Sequence, residues 1–303
     1  MAKTNFLTAL MTLKLLLVIF FLGALLTGSF SVRAHDVDPN PQEPAAAQNN
    51  REAAQMDATF KWFTTSTPGC AVAVMSGGDI IYRHTYGMAN LEFGVPLTTD
   101  SVFPIDSMSK QFTGMGIVLL ALRKELSFSD DVHKYIPELP DYGHEISIED
   151  LLHQTSGLKD AGELLRFAGF RTSFDVQTKQ VYLDIILRQH ELNFLPGDQY
   201  LYSDTNYFVL GLVIERISGK PLSVFARQEI FEPLGMTHTL FRDDSSRLLS
   251  GRVSEYSKGS DENPEDGAFH NADGYIEGWG GARRRSRRSR AKARDAKMNQ
   301  KHR

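Results

Sequence analysis

Cysteine is almost absent: Cys70 is the only one in 303 residues, which excludes an internal disulfide and any cysteine-built metal cluster. It lies in the apolar run Cys70-Ala71-Val72-Ala73-Val74-Met75, where a buried thiol acting as a small hydrophobe is expected. No serine stands in a Gly-x-Ser-x-Gly elbow, so the arrangement of an α/β-hydrolase is excluded. His144-Glu145 and His190-Glu191 each begin like a zinc-protease helix, but Ile148 and Phe194 occupy the second histidine position, and no metal is expected. The apolar run from Leu15 to Leu26 is too short for a comfortable membrane span.

Basic charge is scarce in the body of the chain. From Ala282 to Arg303 stand eight Arg and three Lys against Asp295 alone, while the whole chain carries −4. Everything before that tail is therefore acidic, unlike a nucleic-acid-binding domain, and no nucleic-acid partner is expected.

The composition that remains, 42% hydrophobic and 23% charged, is that of an ordinary globular protein with enough chain to bury a core. Residues 1–34 read as a secretory signal: Lys3 and Lys14 are basic, Leu15 to Leu26 apolar, and Val32-Arg33-Ala34 offers a small-residue cleavage site. A secreted or periplasmic location follows, with no stable membrane span after cleavage; an uncleaved anchor is the alternative. Residues 35–50, bearing Pro39, Pro41 and Pro44, read as a flexible leader to a domain over residues 51–281.

Within that domain, Ala53, Met56, Phe60 and Phe63 follow helical spacing. The runs Cys70 to Met75 and Ile80 to Tyr86 flank Ser76-Gly77-Gly78-Asp79, a hairpin signal. Helices are expected near Ser107 to Lys124, at Val176 to His190, at Asn206 to Ile217 with a stop at Gly219, and at Leu222 to Phe231. Ser147-Ile148-Glu149-Asp150 resembles a capping box. Phe241 to Gly281, rich in Ser, Asp, Glu and Gly, shows no readable strand.

The chain is organised around Phe103 to Lys124. From Gln111, Phe112, Met115, Val118, Leu119 and Leu122 recur three and four apart, so a buried helix starts near Ser107 with Asp106 or Ser107 able to cap it. Residues three apart share a helix face, which points Ser107 and Lys110 into one cleft as nucleophile and base. The spacing alone is weak evidence, since Ser289-Arg290-Ala291-Lys292 repeats it inside the arginine-rich tail.

Several stretches in order resemble the penicillin-recognising serine hydrolases: class C β-lactamases, DD-peptidases, and related esterases and D-aminopeptidases. They are Pro68-Gly69, Phe103 to Thr113, Leu151-Leu152-His153-Gln154-Thr155-Ser156-Gly157-Leu158, Pro196-Gly197 to Tyr207, and Pro233-Leu234-Gly235-Met236. The resemblance implies an α/β fold in which an antiparallel sheet is flanked by helices and joined to an all-helical subdomain. It also implies an acyl-enzyme on Ser107, Lys110 as its partner in proton transfer, and Tyr202 of Tyr202-Ser203-Asp204 as general base. Asp204 would be substrate-binding; it stands where the family pattern has asparagine, and an ionised carboxylate only accepts hydrogen bonds where an amide can donate. No cofactor is implied. The stretch around His153 and Ser156 looks like a structural turn of the family rather than a catalytic pair.

After Gly280-Gly281 the family's later Leu-x-Ser-Thr stretch and its K-T-G or H-x-G strand do not follow. The sheet is therefore expected to be incomplete, and residues 282–303 read as a disordered, shifted-frame or artefactual end, with a polyanion-binding tail as the rival. The expected function is an exported serine hydrolase acting on an ester, amide or β-lactam carbonyl of a small-molecule or peptide substrate. The alternative is a catalytically inactive relative that keeps the cleft as a binding protein.

Overall fold

The computed structural model describes residues 45–171, 175–244, 247–258, 267–273 and 275–276. The expected signal segment, the leader up to residue 44, Gly280-Gly281 and the basic tail lie outside the described residues. The chain divides into two compact units, residues 1–56 and 57–303. Helix α1, Ala45–Thr59, begins earlier than the apolar spacing from Ala53 indicates and takes in residues 45–50, expected as leader. The helix-favouring run Ala45-Ala46-Ala47 accounts for the extension.

Strands β1 (Cys70–Ser76) and β2 (Asp79–Tyr86) form the expected antiparallel hairpin, with a register shift at Val74 and Met75. Met75, Ile80 and Ile81 are exposed. Cys70 is only half-buried, not buried as expected, because the hairpin is two-stranded and little covers it. Strands β3 (Met88–Asn90) and β4 (Val95–Pro96) pair next.

The core belongs to the helices. A 3₁₀ turn, Asp106–Ser109, leads into α2, Lys110–Leu122; α3 is Ile148–His153, α4 Ala161–Phe167, and α6 Asp204–Ser218, with a two-residue strand β5 (Val176–Gln177) and α5 (Lys179–Leu187) between the last two. Helix α7, Leu222–Ala226, runs into a π turn at Arg227–Phe231. Thr205 to Ile214 of α6 are buried except Tyr207, which makes α6 the central rod. Ile117, Leu120, Leu151, Tyr182, Phe225 and Phe231 close around it. Each such side chain contributes about 1.5–3 kcal/mol on burial. The capping box at Ser147 forms with Asp150, and Gly219 ends α6, both as expected.

Two further expectations change. The segment expected as one helix from Val176 opens instead as β5; Thr178 is extended and its hydroxyl accepts the Val181 N–H, so α5 starts only at Lys179. Phe241 to Gly281 does hold strands: β6 (Tyr256–Lys258) pairs antiparallel with β7 (Phe269–Asn271), and β8 (Tyr275–Ile276) pairs parallel with β5. Among the described residues the strands make four separate two-stranded sheets, and no helix is long and apolar enough to cross a membrane.

The turn after α3 is held where only glycine fits. Gly157 has φ +76, and a Cβ there would lie 2.1 Å from the carbonyl oxygen of Phe194. Gly157→Ala should cost about 2 kcal/mol or more in urea unfolding, from both backbone strain and the clash. Gly143, φ +72 with nothing within 4 Å of a Cβ, is the control, and Gly143→Ala should lose about 1 kcal/mol. Equal losses would remove the close approach as a cause.

Candidate active site

The entry into α2 sets the nucleophile. Asp106 adopts φ 42, a left-handed conformation rare outside glycine, and the chain then winds as the 3₁₀ turn Asp106–Ser109. Residues i and i+3 of a 3₁₀ turn eclipse one another, so Ser107 and Lys110 stand on one side as the spacing indicates. Neither Asp106 nor Ser107 caps the helix: Ile105 precedes the turn, and no side-chain cap forms. The Ser107 hydroxyl is engaged elsewhere.

Ser107 Oγ lies 2.7 Å from Tyr202 Oη, and Lys110 Nζ donates to Ser107 Oγ at 3.1 Å. The same ammonium donates to Asp204 Oδ1 at 2.7 Å. Its charge stands 4.9 Å from the ring centre of Tyr202 and 5.8 Å from that of Tyr207, close enough for each ring face to favour it. All four residues expected at the site are thus brought together: Ser107 and Lys110 from the start of α2, Tyr202 and Asp204 from the entry into α6. Lys110 is buried, whereas Tyr202 is 44% exposed, so the hydroxyl pair opens toward solvent on the tyrosine side. Asp204, expected at the substrate, is turned to Lys110.

Asp160 is a residue that sequence reasoning missed. Its carboxylate accepts the Asp204 N–H at 2.5 Å and caps α4 by accepting from the Glu163 N–H at 2.7 Å. Burial pushes the Asp160 carboxyl above its ordinary range, opposed by the N–H groups of Asp204 and Gly162 and by Lys110. Burial raises Asp204 too, and Asp160 adds to that, while Lys110 pulls the other way. Two half-buried carboxylates therefore face one ammonium. An aspartate three residues before Glu163 reads as a helix cap in sequence, but nothing local ties it to residue 204.

His153 and Ser156 are far from being a catalytic pair. His153 is exposed, 4.0 Å from Glu149, while Ser156 is fully buried and donates to Asn206 Oδ1 at 2.5 Å. Among the described residues no three His, Cys, Asp or Glu side chains stand together as a metal site would need. What the arrangement can do is move a proton off a serine hydroxyl beside a fixed positive charge, which is the start of acyl transfer.

Comparison with known proteins gives the family. A family model described as Beta-lactamase matches residues 49–287. The chain is 34% identical over 189 residues to Penicillin-binding protein 4* of Bacillus subtilis (strain 168), covering 62% of this chain and 41% of that protein. It is 27% identical over 232 residues to a putative D-alanyl-D-alanine carboxypeptidase of Escherichia coli (strain K12), covering 70% of this chain and 52% of that one. The chain thus spans about half the length, or less, of these curated relatives. Among solved structures, the octameric penicillin-binding protein homologue from Pyrococcus abyssi superposes with a TM-score of 0.62 at 23% identity, covering 78% of this chain and 53% of that chain, which shows a shared fold. The mixed α/β architecture, the serine–lysine–tyrosine cluster and a model match over most of the chain lead to one conclusion: this chain belongs to the Beta-lactamase family of serine hydrolases.

Proposed function

We propose that this chain is an exported hydrolase that takes an ester, amide or β-lactam acyl group onto Ser107. The observation that carries the reading is the double engagement of Ser107 Oγ, 2.7 Å from Tyr202 Oη and 3.1 Å from Lys110 Nζ. In this reaction Tyr202 acts as the phenolate: its Oη takes the Ser107 proton as Oγ bonds to the substrate carbonyl carbon, and the adjacent Lys110 ammonium offsets the negative charge that passes from the phenolate to the tetrahedral oxygen. When the carbonyl re-forms, the bond to the leaving group breaks and Tyr202 returns the proton to it. Water then repeats the sequence on the acyl-enzyme, releasing the acid and restoring Ser107.

Asp204 bears on substrate choice. Its carboxylate holds Lys110 where an asparagine would offer an N–H to a substrate carbonyl. Export rests on the basic and apolar pattern of residues 1–34, and N-terminal mass mapping of the secreted chain should find a start at His35.

The acyl-enzyme is tested by intact mass after treatment with a fluorophosphonate or benzylpenicillin. One adduct per chain is expected, mapping to Ser107 and vanishing in Ser107→Ala. Tyr202→Phe should slow labelling by on the order of 10²–10⁴-fold, the usual worth of a positioned proton carrier. A folded chain that never labels would leave the second reading, a binding protein that keeps the cleft, which Asp204 in place of asparagine favours. Asp204→Asn should speed labelling by benzylpenicillin relative to the fluorophosphonate by about tenfold, the worth of one added hydrogen bond. An unchanged ratio would remove Asp204 from substrate selection.

The excess of carboxylate over cation also sets a pH dependence. Asp160 has its folded pKa raised, so the folded state holds this proton more tightly than the unfolded one. Its contribution is present at low pH and is lost as pH rises through the folded value. Asp160→Asn keeps the capping oxygen but sets an amide N–H against that of Asp204, so the trend is the test: in urea, the stability of the variant relative to the parent chain should be highest at pH 7 and fall as pH drops to about 4. A difference independent of pH would show that charge burial is not its cause.

A further inference from the structure

We infer that Gln154 is the positioning residue for Tyr202, an inference that rests on the proposed role of Tyr202 in proton transfer. Something must hold Tyr202 in place. Its ring is 44% exposed, so packing does little to fix its hydroxyl against Ser107. The segment containing it precedes α6, and helical hydrogen bonding does not reach it. The backbone on either side must therefore be anchored by something else.

Both anchors come from one residue. The Leu201 N–H donates to the backbone carbonyl of Gln154 at 3.0 Å, and the Ser203 N–H donates to its side-chain Oε1 at 2.8 Å. The two residues flanking Tyr202 thus hang from the carbonyl and the amide oxygen of Gln154. One residue offers both oxygens to the same strand of chain because Gln154 ends α3 in a left-handed conformation, φ 63 and ψ 34, outside the backbone range that non-glycine residues favour. That strain, borne by a 6%-exposed glutamine, is explained if the geometry serves the site.

The amide itself is oriented from behind. Gln154 Oε1 also accepts from Asn206 Nδ2 at 2.6 Å, and Asn206 Oδ1 is taken by the Ser156 hydroxyl at 2.5 Å. Gln154, Ser156 and Asn206 are all buried, and the chain of donors leaves one way for the amide to face. Deeper in the same turn, the Gly197 N–H donates to the Thr155 carbonyl at 2.9 Å and the Asn193 N–H to that of Gly157 at 2.8 Å, extending the seam along the approach to Tyr202. The stretch that reads in sequence as a structural turn therefore sets where the tyrosine oxygen stands relative to Ser107.

Two variants separate this role from simple stability. Gln154→Met keeps the length and removes the acceptor; Gln154→Glu keeps two acceptor oxygens for the same N–H groups. With the tyrosines replaced by 3-fluorotyrosine and the Tyr202 resonance assigned by its loss in Tyr202→Phe, Gln154→Met should shift and broaden that resonance. Resonances of tyrosines such as Tyr82 and Tyr135 should stay in place, and Gln154→Glu should restore the Tyr202 signal. Fluorophosphonate labelling of Ser107 should lose at least tenfold in maximal rate in Gln154→Met with its half-saturating concentration unchanged, and recover to within about threefold in Gln154→Glu. If Gln154→Met does not fold, Gln154→Asn, which draws the amide back by one methylene, serves the same comparison. An unmoved Tyr202 resonance in the acceptor-free or shortened variant overturns the inference. A moved resonance in a chain whose Ser107 never labels keeps Gln154 as the positioning residue and overturns the hydrolase reading instead.

Discussion

The buried ammonium of Lys110 is the constraint on which the rest of the site depends. Removing such a charge from water costs several kcal/mol, and the cost is met only if partners stand in good geometry around it. Here they are the Asp204 carboxylate at 2.7 Å, the Ser107 hydroxyl at 3.1 Å and the faces of two tyrosines. None of these except Ser107 is near in sequence. The fold must therefore bring the start of α6 to the start of α2, and the ion pair is stable only in a chain already folded that way.

That closeness is set by packing further along the same two helices. On α2, Gly116 leaves room where a Cβ would come within 2.8 Å of Ile214 of α6 and 3.3 Å of Phe225 of α7. A side chain at that position would have to push aside the Ile214 tip and the Phe225 ring or open the packing, and a lysine drawn away from its carboxylate loses both hydrogen-bond geometry and shielding from water. The apolar core thus works as a spacer for the polar site: Ile117, Leu120, Val213 and Ile214 fix a distance that the charges then use.

The two helices were legible in the sequence for this reason. A rod such as α6 must be apolar on nearly every face and shows its period, and Gly219 and the Ser147 capping box mark ends by local backbone chemistry. The helix α2 was legible but its buried face was not: Met115, Val118 and Leu122 of the expected face are exposed, and Thr113, Gly116, Ile117 and Leu120 turn inward instead, because apolar residues line both sides of the helix. The pairing of Ser107 with Lys110 was legible too, because one turn relates them. Tyr202 could be proposed only through family resemblance, since 95 residues separate it from Ser107 and no local rule spans that distance. The strands β5 and β8 escaped because two residues carry no periodicity and their partners lie far apart in the chain. Cys70 was misplaced because an apolar run states that a side chain suits burial, not that anything arrives to cover it.

The two carboxylates explain what the sequence alone left open about Asp204. An asparagine in its place would leave Lys110 the charge of Asp160, which acts through space, whereas Asp204 binds the ammonium itself. The lysine is then held more firmly, and its charge is partly cancelled before any substrate arrives. Such a site stabilises a developing oxyanion less than one with an uncompensated ammonium, but it charges less desolvation energy to fold around the lysine. The balance moves with the substrate: an acyl group that displaces Asp204 from Lys110 frees the full positive charge when the tetrahedral oxygen forms, and one that cannot do so meets a site already neutralised. Under the proposed acyl transfer, substrate choice becomes a competition for Lys110, decided by what each acyl group offers the ammonium that Asp204 does not.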